Sequence, residues 1–215
     1  MRYIKRLEKS ILRFLLRPRQ GEYEKNYHII LASGSPRRQE FFKNLGLDFE
    51  IRLKPIKEEY PSRLTHFEIS NYLAQLKALP FKDVLKANDI LITSDTIVWH
   101  NNTALGKPRD ADEAFQILKS LSNQTHEVIT SVCFTTTTFE KTLHNITKVT
   151  FKALSDEEIL YYINTYKPFD KAGAYGIQEW IGQIGVTKIE GSYFNVMGLP
   201  VHLVYKTLNT IAETA

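Results

Sequence analysis

Residues 29–43 leave this chain few ways to begin its fold. Ile29-Ile30-Leu31-Ala32 is a short apolar run, Ser33-Gly34-Ser35 interrupts it, and Pro36-Arg37-Arg38 follows. A short apolar run closed by a turn signal reads as a buried strand. The small residues let the backbone turn tightly. Pro36 then stands where a first helical residue belongs, with Ser35 as its N-cap. Strand, small-residue loop and helix start together make an anion site, because free backbone N–H groups and the helix dipole point the same way. Arg37 and Arg38 put two forked cations in that first turn. Arginine there opposes the dipole, so an anion partner explains the pair better than helix stability does. A basic surface pair after an ordinary βα loop would carry the same residues.

The chain has 215 residues, 43% of them hydrophobic, enough for a sizeable core in one domain or one two-lobed domain. No run is long and apolar enough for stable membrane insertion. The net charge of +4 sits in the first residues. Residues 1–26 hold eight Lys/Arg against three Asp/Glu, whereas the remainder holds twenty against twenty-one. A near-neutral body is not expected to bind nucleic acid. The single Cys133 cannot form an internal disulfide, which fits a reducing compartment such as the cytoplasm. It lies in an apolar run and reads as a buried structural thiol.

The pattern divides the chain into a leader and linker, residues 1–26, and one domain, residues 27–215. In the leader, Ile4, Leu7, Ile11, Leu12 and Leu15 recur at helical spacing with Lys5, Arg6, Lys9 and Arg13 between them. That is a basic amphipathic helix ending near Pro18. Two readings stand: a segment that touches an anionic membrane or targets an organelle, and a plain extension with no separate role. It lacks the apolar centre and small-residue cleavage site of a secretory signal. Residues 21–27 read as a linker.

From Tyr27 the elements alternate as in an α/β fold. A helix runs from Pro36 to about Asn44, with Gly46 closing it. Phe49 to Leu53 alternates like a strand. Residues 54–65 carry two prolines and read as a loop. Phe67 to Leu79 is helical and brings Lys77 near its end. Ile90 to Ser94 is a strand running through Asp95 to Trp99, with a turn at residues 100–103. Asp110 caps a helix from Ala111 to Leu121, and Glu113 completes its capping box. Val128 to Thr138 and Leu143 to Phe151 are strands. Ser155 opens an acidic-fronted helix ending near Tyr166. Ala172 to Ile177 is a small-residue segment, Val186 to Ile189 a strand, and Leu199-Pro200 opens the last helix.

Asp95 carries the clearest chemistry. An acid at the end of an apolar strand is partly desolvated, which is unfavourable without a metal or lysine partner. Lys107, between Gly106 and Pro108, stands on a stiff turn. Lys77 and Glu58 complete the set. Two arginines at an anion loop, two lysines and two carboxylates describe a site for a polyphosphate with a hard, oxygen-liganded cation, Mg²⁺ or Mn²⁺. There is no P-loop and no glycine-rich dinucleotide fingerprint. His126, placed before a strand, reads as a residue that hydrogen-bonds its own turn.

Leu31-Ala32-Ser33-Gly34-Ser35-Pro36-Arg37-Arg38 resembles the opening signature of the Maf family of nucleoside triphosphate pyrophosphatases. Four further blocks agree in order and spacing: Ser94-Asp95-Thr96-Ile97-Val98 with Leu105-Gly106-Lys107-Pro108; Leu121-Ser122-Asn123-Gln124-Thr125-His126; Asp170-Lys171-Ala172-Gly173-Ala174-Tyr175-Gly176-Ile177-Gln178; and Gly191-Ser192-Tyr193 with Val196-Met197-Gly198-Leu199-Pro200. The likeness covers about residues 28–208.

That resemblance implies a cytoplasmic enzyme that splits a nucleoside triphosphate between its α- and β-phosphates. It implies an elongated mixed-sheet α/β fold with two lobes around a cleft, related to the inosine triphosphatases and often dimeric. By position, Asp95 would be the proton acceptor. Ser33, Arg37 and Arg38 would hold the triphosphate, Lys77 and Lys107 would neutralise it, and Glu58 with Asp95 would hold the divalent metal. Asp95-Thr96 and the block ending in Gln178 resemble the branch acting on dTTP and UTP, so Arg37, Thr96 and Gln178 are the positions tied to specificity. The resemblance leaves two alternatives open: pyrophosphohydrolysis of a modified nucleotide, and a nucleotide-binding regulator of cell division and septum formation. Three features depart from the family: Lys57 in place of a second acid, Glu179-Trp180 in place of small residues, which would narrow the base pocket, and the leader.

Overall fold

The computed structural model describes residues 27–213, so the amphipathic leader expected over residues 1–26 lies outside the described residues. Strand β1 (His28–Leu31) leads into helix α1 (Pro36–Asn44) and strand β2 (Phe49–Ile51). After a long loop come α2 (Phe67–Ala78) and a 3₁₀ segment, Leu79–Val84. The centre is β3 (Asp89–His100), β4 (Thr103–Leu105), α3 (Ala111–Leu121), β5 (Thr125–Thr135) and β6 (Glu140–Phe151). The chain finishes with α4 (Asp156–Tyr166), α5 (Trp180–Gly185), β7 (Val186–Glu190), α6 (Tyr193–Val196) and α7 (Val201–Glu213).

All seven strands join one mixed sheet in the order β2-β1-β3-β5-β6-β7, with β4 paired to β3. β1 runs parallel to β2 and β3, and the remaining pairs are antiparallel. The fold is therefore of the α/β class that the alternation predicts, with the mixed sheet that the family resemblance implies. Alternate residues of the long strands feed different cores. On one face, Ile90 and Ile92 of β3 pack with Leu31, Phe42, Phe134 and Leu199. Further along the same strand, Val98 packs with Leu118, Val128, Phe151 and Ile177. Between these two cores the same face carries Ser94 and Thr96. Apolar contact lapses there, and the cleft opens between two lobes.

The hydrogen-bond ladder explains where. β1 accompanies β3 only as far as the Leu31–Ile92 pair, and β4 joins it only from Val98. Between those points, Thr93–Ile97 has β5 on one side and no strand on the other among the described pairings. An unpaired edge exposes backbone N–H and C=O groups. Here that window is a few residues long and holds Asp95.

Several local expectations need adjustment. β5 begins at Thr125 and ends at Thr135 rather than spanning 128–138. The hydroxyl of Thr136 accepts from the Thr138 and Phe139 amides and closes a hairpin turn there. His126 therefore lies inside a strand, where its Nε2 meets the buried Tyr175 hydroxyl at 2.7 Å instead of binding its own turn. Burial depresses its pKa to about 3, so it is a neutral core residue at working pH. Asp110 does accept from the Glu113 amide, but Glu113 returns its carboxylate to the Arg109 amide, one residue before the cap. The full reciprocal box forms instead at α4, between Ser155 and Glu158. Gly46 closes α1 as expected, at φ 68°, with its amide on the Lys43 carbonyl.

Candidate active site

Two adjoining cavities, of about 370 and 460 Å³, flank the unpaired window of β3. Arg37, Arg38, Glu58, Lys77, Lys107 and Asp170 line both. The cavities thus form one cleft with a charged waist. The smaller continues into an apolar end made by Leu105, Val128, Ala172 and Tyr175 among others. The larger continues under the loop Ser33-Gly34-Ser35.

The anion loop is built as the sequence predicts, with one difference. Ser35 occupies the N-cap position of α1, but its side chain makes no capping bond. Its amide donates to Ser33 Oγ at 3.3 Å instead. The Ser33 carbonyl accepts from Gln39 Nε2 at 3.1 Å. Ser33 thereby braces the loop from within, while the first residues of α1, Pro36 to Arg38, line the larger cavity.

Arg37 and Arg38 part company. Arg37 is half-buried and donates from Nε to the Met197 carbonyl at 3.3 Å. Its terminal nitrogens stay at the cleft. Arg38 is instead a staple: Nε donates to the Gly198 carbonyl at 2.8 Å, Nη1 to the Ser94 carbonyl at 2.8 Å, and Nη2 to Thr96 Oγ1 at 3.1 Å. The Ser94 carbonyl belongs to the unpaired edge, so Arg38 satisfies what no strand does. Burial lowers its pKa, and the neighbouring Asp95 charge raises it; a guanidinium stays charged regardless. Arg38, the expected triphosphate clamp, thus also has a structural role, and it lines both cavities. Thr96 is locked by the same network. Thr130 donates to the Asn195 carbonyl at 2.9 Å, so Thr96 must donate to Thr130 and accept from Arg38.

Asp95 lies in a different balance. Its Oδ1 accepts from Lys77 Nζ of α2 at 2.6 Å, and the same ammonium reaches Glu58 Oε2 at 3.3 Å. Its Oδ2 is buried with no hydrogen-bond partner. Burial pushes the Asp95 carboxyl above its usual range, opposed by the Lys77 ammonium. A buried carboxylate oxygen without a partner is costly, and here it belongs to a residue that lines the smaller cavity.

The same feature tests the metal expectation. No group of three or more His, Cys, Asp or Glu gathers in a ligating cluster among the described residues. Yet Asp95, with its Oδ2 unpartnered, and Glu58, both gathered around the Lys77 ammonium, supply oxygens that suit a hard cation whose remaining ligands come from phosphate and water. The residues fit. Lys57 bears on this less than its position suggests, because it is exposed and paired with Glu59 at 2.6 Å, away from the cleft.

Two expectations meet a different placement. Gln178 is half-buried and is not among the residues lining either cavity. Trp180 packs edge-on against Tyr161 with centroids 4.8 Å apart and lines neither cavity, so it does not narrow the cleft directly. Sequence reasoning missed Asp170, Lys171 and Tyr175 as cleft residues. All three stand inside a block it had noted, and their charge and aromatic character were the available signals. No helix among the described residues is long and apolar enough to cross a membrane.

The family model described as "Maf-like protein" matches residues 28–211. A dTTP/UTP pyrophosphatase from Flavobacterium johnsoniae is 67% identical over 187 residues, covering 87% of this chain and 96% of that protein. Proteins of the same description from Flavobacterium psychrophilum and Christiangramia forsetii are 64% and 56% identical, covering 84% and 90% of this chain and 92% and 98% of theirs. Among solved structures, a nucleoside-triphosphatase described as a dITP/XTP pyrophosphatase from Mycobacterium abscessus is similar at TM-score 0.41 and 14% identity, covering 87% of this chain and 97% of that one. The Ham1 protein of Staphylococcus aureus is similar at TM-score 0.46 and 13% identity, covering 84% of this chain and 99% of that one.

Proposed function

The chain belongs to the Maf-like family, and from that premise we propose that it hydrolyses dTTP and UTP to the nucleoside monophosphate and pyrophosphate. One observation carries the reading: Asp95, whose buried Oδ2 has no hydrogen-bond partner, lines a cleft whose waist holds Arg37, Lys77 and Lys107.

Phosphoanhydride cleavage needs little covalent help from a protein. Positioning and charge neutralisation do most of the work. In this reading the triphosphate crosses the waist, with the nucleoside in the apolar end beside Val128 and Tyr175 and the terminal phosphates toward the Ser33–Ser35 loop. Asp95 Oδ2 accepts a proton from a water as that water's oxygen bonds to the α-phosphorus. The bond from the α-phosphorus to the bridging oxygen breaks, and pyrophosphate leaves with its charge held by Arg37, Lys107 and the α1 amides. Lys77 favours the ionised form of Asp95 against the burial that pushes its pKa up. A divalent cation, Mg²⁺ or Mn²⁺, would be held by Asp95 and Glu58, and when bound it acidifies water and neutralises phosphate charge. A cytoplasmic location belongs to the same reading, since the substrate is a free nucleotide and the one thiol, Cys133, is reduced and buried.

The test is a nucleotide panel with Mg²⁺ or Mn²⁺, resolving monophosphate, diphosphate and pyrophosphate by chromatography. Monophosphate with pyrophosphate from dTTP and UTP supports the reading. Cleavage confined to other nucleotides discards the specificity, and binding without cleavage of any triphosphate discards the enzyme in favour of a nucleotide-binding regulator.

A further inference from the structure

A buried lysine lies at the border between the charged waist and the apolar end. Lys171 has a side chain only 8% exposed, and its ammonium sits 2.7 Å from Asp170 Oδ1 and 3.2 Å from Glu179 Oε1. Buried ammonium groups persist only when paired, and here two carboxylates hold one. Asp170 accepts from one of its three N–H donors, and Glu179 faces it as an ion pair. Lys171 lines the smaller cavity and not the larger, next to Ala172 and Tyr175. That places it on the nucleoside side of the waist.

Glu179 is held as tightly as it holds. Its Oε2 accepts from the Tyr162 hydroxyl, whose oxygen in turn accepts from the Gly176 amide at 3.0 Å. Burial and the adjacent carboxylate push the Tyr162 phenol up, so it stays protonated and donates. The carboxyl group also lies directly on the backbone of residue 176. A Cβ there would come within 2.8 Å of Glu179 Cδ. Glycine at 176, tyrosine at 162 and the acid at 179 thus fix both carboxylate oxygens, and through one of them the lysine.

We propose that Lys171 is a specificity-determining residue that donates a hydrogen bond to an exocyclic carbonyl oxygen of the pyrimidine base, and that Glu179 is its positioning residue. An ammonium donates and cannot accept. It therefore favours a base carrying a carbonyl at the contacted position, as uracil and thymine do, and opposes one carrying an amino group there, as cytosine does. The inference rests on the proposed pyrophosphatase reading and adds the basis of its base selection.

The experiment uses the full chain and one-pot competition between dTTP and dCTP, then between dTTP and UTP, in wild type, Lys171→Met and Glu179→Gln. A ratio measured on one preparation does not depend on how much protein is folded. Thermal unfolding is recorded beside it. Lys171→Met should lower the dTTP/dCTP preference at least tenfold. Glu179→Gln keeps a hydrogen-bond acceptor for Tyr162 but removes the charge facing Lys171. It should lower the same preference several-fold, through a raised KM for dTTP with kcat within about twofold. An unchanged dTTP/dCTP ratio in both variants, or equal losses for both nucleotides, overturns the proposal. So does a loss confined to the dTTP/UTP ratio, which would assign the contact to the sugar or the 5-methyl group. If wild type cleaves no nucleoside triphosphate, the underlying reading has failed, and the base contact fails with it.

Discussion

Lys77 Nζ stands 2.6 Å from Asp95 Oδ1 while the carboxylate's other oxygen meets nothing. One ammonium from α2 thus holds one oxygen of a buried acid from β3 and leaves the other without a hydrogen-bond partner. The contact orients the acid, and the ammonium opposes the upward push that burial gives its pKa.

Asp95→Asn should lower turnover by about 10²–10⁴-fold, with nucleotide affinity little changed, because the cations of the waist remain. Chromatographic turnover and equilibrium binding check this. The same variant carries a stability signature. The folded-state pKa of Asp95 is raised, so above it the buried charge works against folding. Below the ordinary carboxylate pKa, about 3.9, the group is protonated in both states and that effect vanishes. The variant should therefore unfold at the same or a higher temperature than wild type at neutral pH, with any gain disappearing in acid.

Lys77→Met removes the charge that pulls the Asp95 pKa back down. The acid limb of the kcat/KM profile, where the base must lose its proton, should then move to higher pH. A limb that stays in place would assign it to another group.

Arg38→Lys should destabilise the fold by about 2–4 kcal/mol, since one ammonium cannot serve the Ser94 and Gly198 carbonyls and Thr96 together, and a buried acceptor left unpaired costs about 1–3 kcal/mol. Arg37→Ala loses one bond to the Met197 carbonyl and should cost about 1 kcal/mol at most, raising KM instead. Denaturant unfolding of both variants, set against their kinetics, separates staple from clamp.

Gly173 sits at φ +70°, and a Cβ there would lie 2.6 Å from Val98 Cγ2. Its amide also ties the 170–176 loop to the Gly106 carbonyl, beside Lys107, at 3.0 Å. Gly173→Ala adds left-handed strain of about 1–2 kcal/mol to overpacking of about 1–3 kcal/mol. A clear fall in melting temperature together with weaker nucleotide binding is expected. Unchanged values would show that the loop does not shape the cleft.

Deleting residues 1–26 should leave kcat/KM within about twofold, because the family match begins at residue 28. Kinetics on the truncated chain decide it, and an inactive or aggregated product would make those residues part of the folded unit.

The amino-acid sequence by itself determined the order of elements, the mixed α/β class and the charged inventory of the site. Those signals are local. A four-residue apolar run before Ser33-Gly34-Ser35, a proline at a helix start and a cap such as Ser155 act within a few residues, so one stretch of chain suffices to read them. Tertiary structure decided what each charge does. Arg37 and Arg38 are adjacent and look alike, yet Arg38 is drawn into a gap in the sheet that exists only because β1 ends at Leu31 and β4 ends at Leu105, opposite Val98. The resemblance ties Gln178 to specificity, but the turn that holds Glu179 between Tyr162 and Lys171 leaves Lys171 at the cleft and Gln178 outside its lining. Hydrogen bonds and ion pairs between residues far apart in the chain settle such questions, and their geometry depends on strand lengths and register, which no short window of sequence contains.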